Sequence, residues 1–128
     1  MKVLLDTHAL VWALADPDRL SPRARMVLSD GDSLLFASVA SAWELAILQG
    51  LGRVHLHVPL ERIFTESLAA LGVRLLPIQL AHVAALRALP QLHRDPFDRM
   101  LIAAAAAEGL SIVSRDGAFE QYGVPVVW

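Results

Sequence analysis

Four acidic residues sit where a strand or a helix can hand a carboxylate to a binding crevice: Asp6, Glu44, Asp98 and Asp116. Asp6 closes the apolar run Val3-Leu4-Leu5, and Asp116 follows Leu110-Ser111-Ile112-Val113 within Ser114-Arg115-Asp116-Gly117. Asp98 lies in Asp95-Pro96-Phe97-Asp98, at the start of a helical stretch. Glu44 is the only charged residue between Asp32 and Arg53. A helix this apolar is expected to be largely buried, and an ionised carboxylate in it needs a cation from elsewhere in the fold or from solution. Each residue has a plainer explanation when read alone. Helix caps and the macrodipole account for Asp6, Asp95 and Asp98, a capping box begun by Ser41 accounts for Glu44, and a turn accounts for Asp116.

Together they can converge on one edge of a parallel sheet, and that convergence has a cost. Two carboxylates ~5 Å apart repel by about 3 kcal/mol at an effective dielectric of 20. Four of them protonate in part or recruit a counter-cation. With oxygen donors only, no Cys and no paired-His motif, Mg²⁺ or Mn²⁺ suits the set better than Zn²⁺. Such an ion activates water and stabilises a leaving oxygen in phosphoryl chemistry. Receiver-type and haloacid-dehalogenase-type sites fit less well, because both use a Lys late in the chain and the only Lys is Lys2. Asp6-Thr7-His8-Ala9 is not the Gly-rich turn of a dinucleotide site.

Around the carboxylates, Thr7 and Ser114 are candidates to orient an acid or a water, and Arg99 and Arg115 to pin a phosphate or pair with a carboxylate. His8 and His93 are candidate proton donors or phosphate contacts. Trp12, Trp43 and Phe97 can stack on bases, although their apolar neighbours favour a place in the core. Leu10, Trp12, Leu14 and the run Ala103 to Ala107 serve equally well as core or as a partner surface.

The elements that must position these groups are legible. Apolar runs at 3–5, 33–37, 73–76, 110–113 and 124–127 read as strands buried on both faces. Between them, Ser21-Pro22 opens a helix over Ala24 to Leu28, Ser38 or Ser41 opens one stopping near Gly50 or Gly52, and Pro59 begins one running to about Gly72. Leu80, Val83, Ala84 and Leu86 give the next helix its apolar face, and Asp95-Pro96 caps another that ends at Gly109. Strands alternating with helices predict an α/β fold: a three-layer α/β/α sandwich around a mainly parallel sheet of about five strands. In such sheets ligands bind outside the carboxyl ends of the strands.

At 128 residues, 55% hydrophobic, with no Gly/Ser/Pro-rich linker, the chain is expected to form one domain over 1–128. No Cys excludes thiol chemistry and disulfide frameworks. The longest stretch free of Asp, Glu, Lys and Arg is the twelve residues Leu75 to Leu86, too short to span a bilayer, and Asp6 breaks any signal-peptide core. A cytoplasmic protein is expected. A net charge of −2 removes any global field that would steer it onto duplex nucleic acid, so nucleic-acid contacts must be local.

Leu5-Asp6-Thr7-His8-Ala9-Leu10, Ser41-Ala42-Trp43-Glu44-Leu45-Ala46, His93-Arg94-Asp95-Pro96-Phe97-Asp98-Arg99 and Val113-Ser114-Arg115-Asp116 resemble the PIN-domain family, and more closely its VapC-type toxins. The resemblance spans essentially the whole chain. It implies a metal-dependent ribonuclease whose acidic quartet, here Asp6, Glu44, Asp98 and Asp116, binds Mg²⁺ or Mn²⁺, with Asp95 the nearest rival to Asp98. It also implies a cognate antitoxin that places an Arg or similar group among the carboxylates, and a homodimer. One departure is the absence of a Lys near the position of Leu48. The rival expectation is a non-catalytic RNA- or protein-binding module on a PIN-like fold, its carboxylates serving only as caps and turns.

Overall fold

The computed structural model describes residues 1–128. Five strands, β1 (Lys2–Leu5), β2 (Leu34–Ser38), β3 (Val73–Leu76), β4 (Ser111–Val113) and β5 (Val126–Val127), form one parallel sheet in the order β3-β2-β1-β4-β5. The first three strands step outward on one side of β1, and the chain then returns to lay β4 against its other edge. That reversal makes the carboxyl ends of β1 and β4 a topological switch point, where a crevice opens.

Alternation along the strands divides the core into two layers. Val3 and Leu5 face one cluster with Val113, whereas Leu4 and Ile112 face the other. The first layer is closed by α1 (Thr7–Ala15), α2 (Pro22–Ser29) and a helical segment over 60–70. In that segment α4 (Leu60–Arg62) and α5 (Leu68–Ala70) flank a π-helical turn, Ile63–Ser67, so the helix opened by Pro59 is not regular. The second layer is closed mainly by α7 (Pro96–Glu108), whose Leu101, Ile102, Ala104 and Ala105 are buried. Ala103 is buried as well, and Leu10 with it, so most of the alanine run is core rather than a partner surface. Only Ala106 and Ala107 of the run are exposed.

Three sequence expectations are corrected by packing. The edge strand β3 is buried at Val73 and Leu76 but exposed at Arg74 and Leu75, because an outer strand is covered less completely than a central one. On α6 (Leu80–Ala88) three of the four residues of the expected apolar face turn outward, Leu80 84% and Val83 45% exposed with Ala84 beside them, and only Leu86 turns in. The inward residues are His82, Ala85, Leu86 and Leu89. His82 fills a core position because its ring is satisfied: Nδ1 accepts from the Gln79 N–H at 3.3 Å, and Nε2 lies 2.8 Å from Glu108 Oε1 on α7. The third correction concerns α3 (Val39–Gly50), where Trp43 is 60% exposed and Ile47 also faces out, so its apolar content is not all core. No helix is long and apolar enough to cross a membrane.

Candidate active site

Asp6 follows β1 directly and caps α1, accepting from the Ala9 N–H at 2.7 Å. Its other oxygen accepts from Ser114 Oγ at 2.5 Å, just past β4, and Ser114 Oγ in turn accepts from the Asp116 N–H at 2.9 Å. A buried hydroxyl thus ties the two strand ends together. Burial pushes the Asp6 carboxyl above the ordinary range, the Ser114 and Ala9 hydrogen bonds oppose this, and Asp116 adds to it.

Glu44 lies in the second turn of α3. Ser38, not Ser41, caps this helix, accepting from the Ala40 N–H at 2.9 Å, so no capping box engages Glu44. Ser41 is instead buried against Thr7, whose hydroxyl donates to Ser41 Oγ at 2.9 Å and locks α3 onto α1. Glu44 Oε1 is a buried acceptor with no partner. Desolvation raises the Glu44 pKa, and Asp95 and Asp6 add repulsion against the counter-effects of Thr7 and His8.

Asp95 caps α7, its Oδ1 accepting from the Phe97 and Asp98 N–H groups at 2.8 and 3.4 Å. Asp98, at N3, is pushed up to about 8, first by burial and then by Asp95, Glu44, Asp6 and Asp116. The carboxylates that sequence singled out therefore meet at the switch point, where Asp95, Glu44, Asp6 and Asp116 all repel the charge on Asp98. Asp116 also accepts from the Ala118 N–H at 2.9 Å, so it caps the 3₁₀ turn Gly117–Tyr122 as well as facing the others.

His93 stands between two of the acids, with Nε2 3.2 Å from Asp98 Oδ2 and 3.5 Å from Asp116 Oδ2. These three side chains hold ligand-capable atoms within 4.8 Å of one another. His93 Nδ1 accepts the Asp95 N–H at 3.0 Å, so Nε2 carries the hydrogen and faces the acids as a donor rather than as a ligand. An oxygen donor set with an orphaned Glu44 Oε1 and mutually repelling carboxylates fits a hard divalent ion.

Residues 3–125 match the family model of the PIN domain. The chain belongs to the PIN-domain family. It is 34% identical to Ribonuclease VapC22 of Mycobacterium tuberculosis (strain ATCC 25618 / H37Rv), over 98% of each chain. Its fold is similar to that in the crystal structure of VapBC2 from Rickettsia felis bound to a DNA fragment from their promoter (14% identity, 98% and 97% of the chains, TM-score 0.70). It is similar as well to FitAcB from Neisseria gonorrhoeae (23% identity, 97% and 95% of the chains, TM-score 0.59).

In this PIN domain Arg99 is neither a surface charge nor part of the acidic cleft. It is buried, donating from Nη1 to the Pro90 carbonyl at 2.7 Å and to the Tyr122 hydroxyl at 3.3 Å, and from Nη2 to the Leu86 carbonyl at 3.5 Å. The Tyr122 hydroxyl also accepts the Leu92 and His93 N–H groups at 3.1 and 2.7 Å. Arg99 and Tyr122 thus pin the loop that delivers His93 and Asp95. Nothing in the sequence singles out Tyr122, because its partners are the Arg99 side chain 23 residues away and two backbone N–H groups 29 and 30 residues away. Arg99→Met is expected to cost about 2–4 kcal/mol in urea unfolding, since it leaves the part-buried Pro90 and Leu86 carbonyls without their donor.

Arg115 and His8 are exposed, and both line the cleft of about 440 Å³ over Asp6, Asp98 and Asp116. Phe97 packs edge-on against Trp43 at 5.0 Å, on the seam between α3 and α7.

Proposed function

We propose that this PIN domain, taken as one unit over 1–128, is a divalent-metal-dependent endoribonuclease and the toxin of a toxin–antitoxin pair. The observation that carries the reading is the meeting of Asp6, Glu44, Asp98 and Asp116 from separate elements, with Glu44 Oε1 unpartnered and the Asp98 proton held to about pH 8. A relative whose name is Ribonuclease VapC22, alike along its whole length, supports RNA as the substrate.

Asp6, Glu44, Asp98 and Asp116 are the residues that would hold Mg²⁺ or Mn²⁺, while Asp95 Oδ1 is committed to capping α7. A bound divalent ion supplies Lewis-acid polarisation of the phosphodiester and lowers the pKa of the attacking water. Ser114 fixes the orientation of Asp6, and Thr7 fixes α3 so that Glu44, one turn beyond Ser41, faces the same crevice. Arg115, at the rim, is placed to meet a phosphate oxygen. His93 Nε2–H donates toward the floor and limits repulsion between Asp98 and Asp116.

An antitoxin partner is supported by the likeness to VapBC2 bound to a promoter DNA fragment and to FitAcB. A homodimer is supported by the outward apolar residues Trp43 and Ile47 on α3 and Leu80 and Val83 on α6, which a protomer alone leaves in water. RNA as the substrate class accords with action in the cytoplasm.

The test uses protein freed of any partner, incubated with end-labelled single-stranded RNA in Mn²⁺, in Mg²⁺ and in EDTA. Internal cleavage with either ion and none in EDTA is expected. Cleavage that persists in EDTA, or its absence in both ions across RNAs of varied sequence, contradicts the reading.

A further inference from the structure

The acidic cleft has a wall that ion binding does not require. His8 and Trp12 are one helical turn apart on α1 and share a face, their ring centroids 5.9 Å apart and the rings tilted by 46°. Both line the cleft above Asp6, Asp98 and Asp116, together with Arg115. Trp12 is held from other sides: the Trp128 ring lies 5.8 Å away, and the Arg19 guanidinium sits 5.4 Å over its own ring. His8 is exposed in front of this fixed backing. An aromatic step, His8 exposed in front of the backed Trp12 ring, thus opens to solvent at the rim of the carboxylate floor.

An aromatic step beside a phosphodiester-cleaving floor suits a nucleotide, which carries a flat base and a charged phosphate on adjacent positions. Stacking on a ring tolerates any base, since every base has a π-face. In a duplex the same faces are occupied by neighbouring bases and cannot reach the wall. Resting on the ribonuclease reading, we propose that the His8–Trp12 wall receives the nucleobase next to the scissile phosphate, stacked on the His8 ring, so that the RNA must be unpaired at that nucleotide. Arg115, across the same cleft, meets the phosphate that follows.

The test is a cycle between protein and substrate. Short single-stranded RNAs carrying one abasic nucleotide at successive positions around the cut are compared with intact RNA in Mn²⁺, using the native-sequence protein, His8→Ala, Trp12→Leu and His8→Phe. For the native sequence, one abasic position beside the cut is expected to lower kcat/KM about 10-fold, the scale of a single stacked base. His8→Ala is expected to lose a similar factor on intact RNA and nothing further on abasic RNA, and His8→Phe to restore the dependence. Trp12→Leu is followed by thermal melting so that a loss of fold is separated from a loss of stacking; His8 is exposed, and its variants test the wall without disturbing the core. No abasic penalty in the native sequence, or equal penalties in the native sequence and His8→Ala, overturns the inference while the nuclease reading stands. Absence of RNA cleavage by the native sequence overturns both.

Discussion

Asp98→Asn is expected to lower RNA cleavage by about 10²- to 10³-fold, the scale on which a single preorganised charge-stabilising group acts. The same substitution is expected to stabilise the metal-free protein at pH 7 by roughly 2 kcal/mol. Both effects have one origin. Asp98 is crowded by Asp95, Glu44, Asp6 and Asp116 and is largely desolvated, so its charge is costly unless a cation shares it. An amide of the same shape removes the cost and, with it, the carboxylate that Asp98 would offer an ion. Cleavage kinetics in Mn²⁺ and urea unfolding in EDTA measure the two effects. A variant that loses both activity and stability would mean that Asp98 matters chiefly as part of the α7 cap.

Stability of the metal-free protein is expected to fall as pH rises from about 4 to about 8. The Asp98 carboxyl is raised from 3.8 to about 8, so across that interval the folded state keeps a proton that the unfolded chain has released. The unfolded state then binds fewer protons, and the free energy of unfolding decreases with pH. The stability is fully present below the unfolded pKa and is lost as pH rises through the window. Asp6 and Glu44, also raised by burial, push in the same direction. The full linkage of ~1.4 kcal/mol per pKa unit is discounted because Asp98 is partly solvated, leaving about 2–4 kcal/mol over the window. Saturating Mn²⁺ is expected to flatten the slope, because the ion takes the place of the protons, and to add stability by mass action, about 2.7 kcal/mol at a hundredfold excess over Kd. Urea unfolding at pH 5 and pH 8, with EDTA and with Mn²⁺, gives the four values needed.

The strands, the caps at Ser21 and Asp95 and the glycine stop at Gly109 were legible in the sequence because each rests on local chemistry. Asp6 and Asp116 could be placed by the rule that parallel strands present their carboxyl ends to ligands. Glu44 stood out as a lone charge in an apolar run, and the structure supports that emphasis through an unpartnered oxygen, not through a buried helix. The failures concern what covers a surface. The apolar residues of α6 and α3 suggest buried faces, but the sheet and α7 leave Leu80 and Val83 outward, and Trp43, though it touches Phe97 on α7, stays 60% exposed. His82 took a core position through hydrogen bonds to Gln79 and Glu108, and no hydrophobic count assigns it there. Arg99 and Tyr122 bind backbone carbonyl and amide groups of a distant loop, a pairing that leaves no trace in residue types. Trp12, a core candidate by its neighbours, is half-buried and shows one side to the cleft, because α1 begins at the switch point and its first turns border the site.

Calorimetric titration of the partner-free protein with Mn²⁺ at pH 7, alongside Asp6→Asn and Asp98→Asn, tests without reference to any RNA whether four carboxylates form a divalent-ion site. Saturable binding with proton release is expected in the native sequence and its loss in both variants, each of which remains folded. Absence of Mn²⁺ binding to the folded native protein, or binding unchanged in both variants, would contradict that expectation and leave the carboxylates as caps and turns.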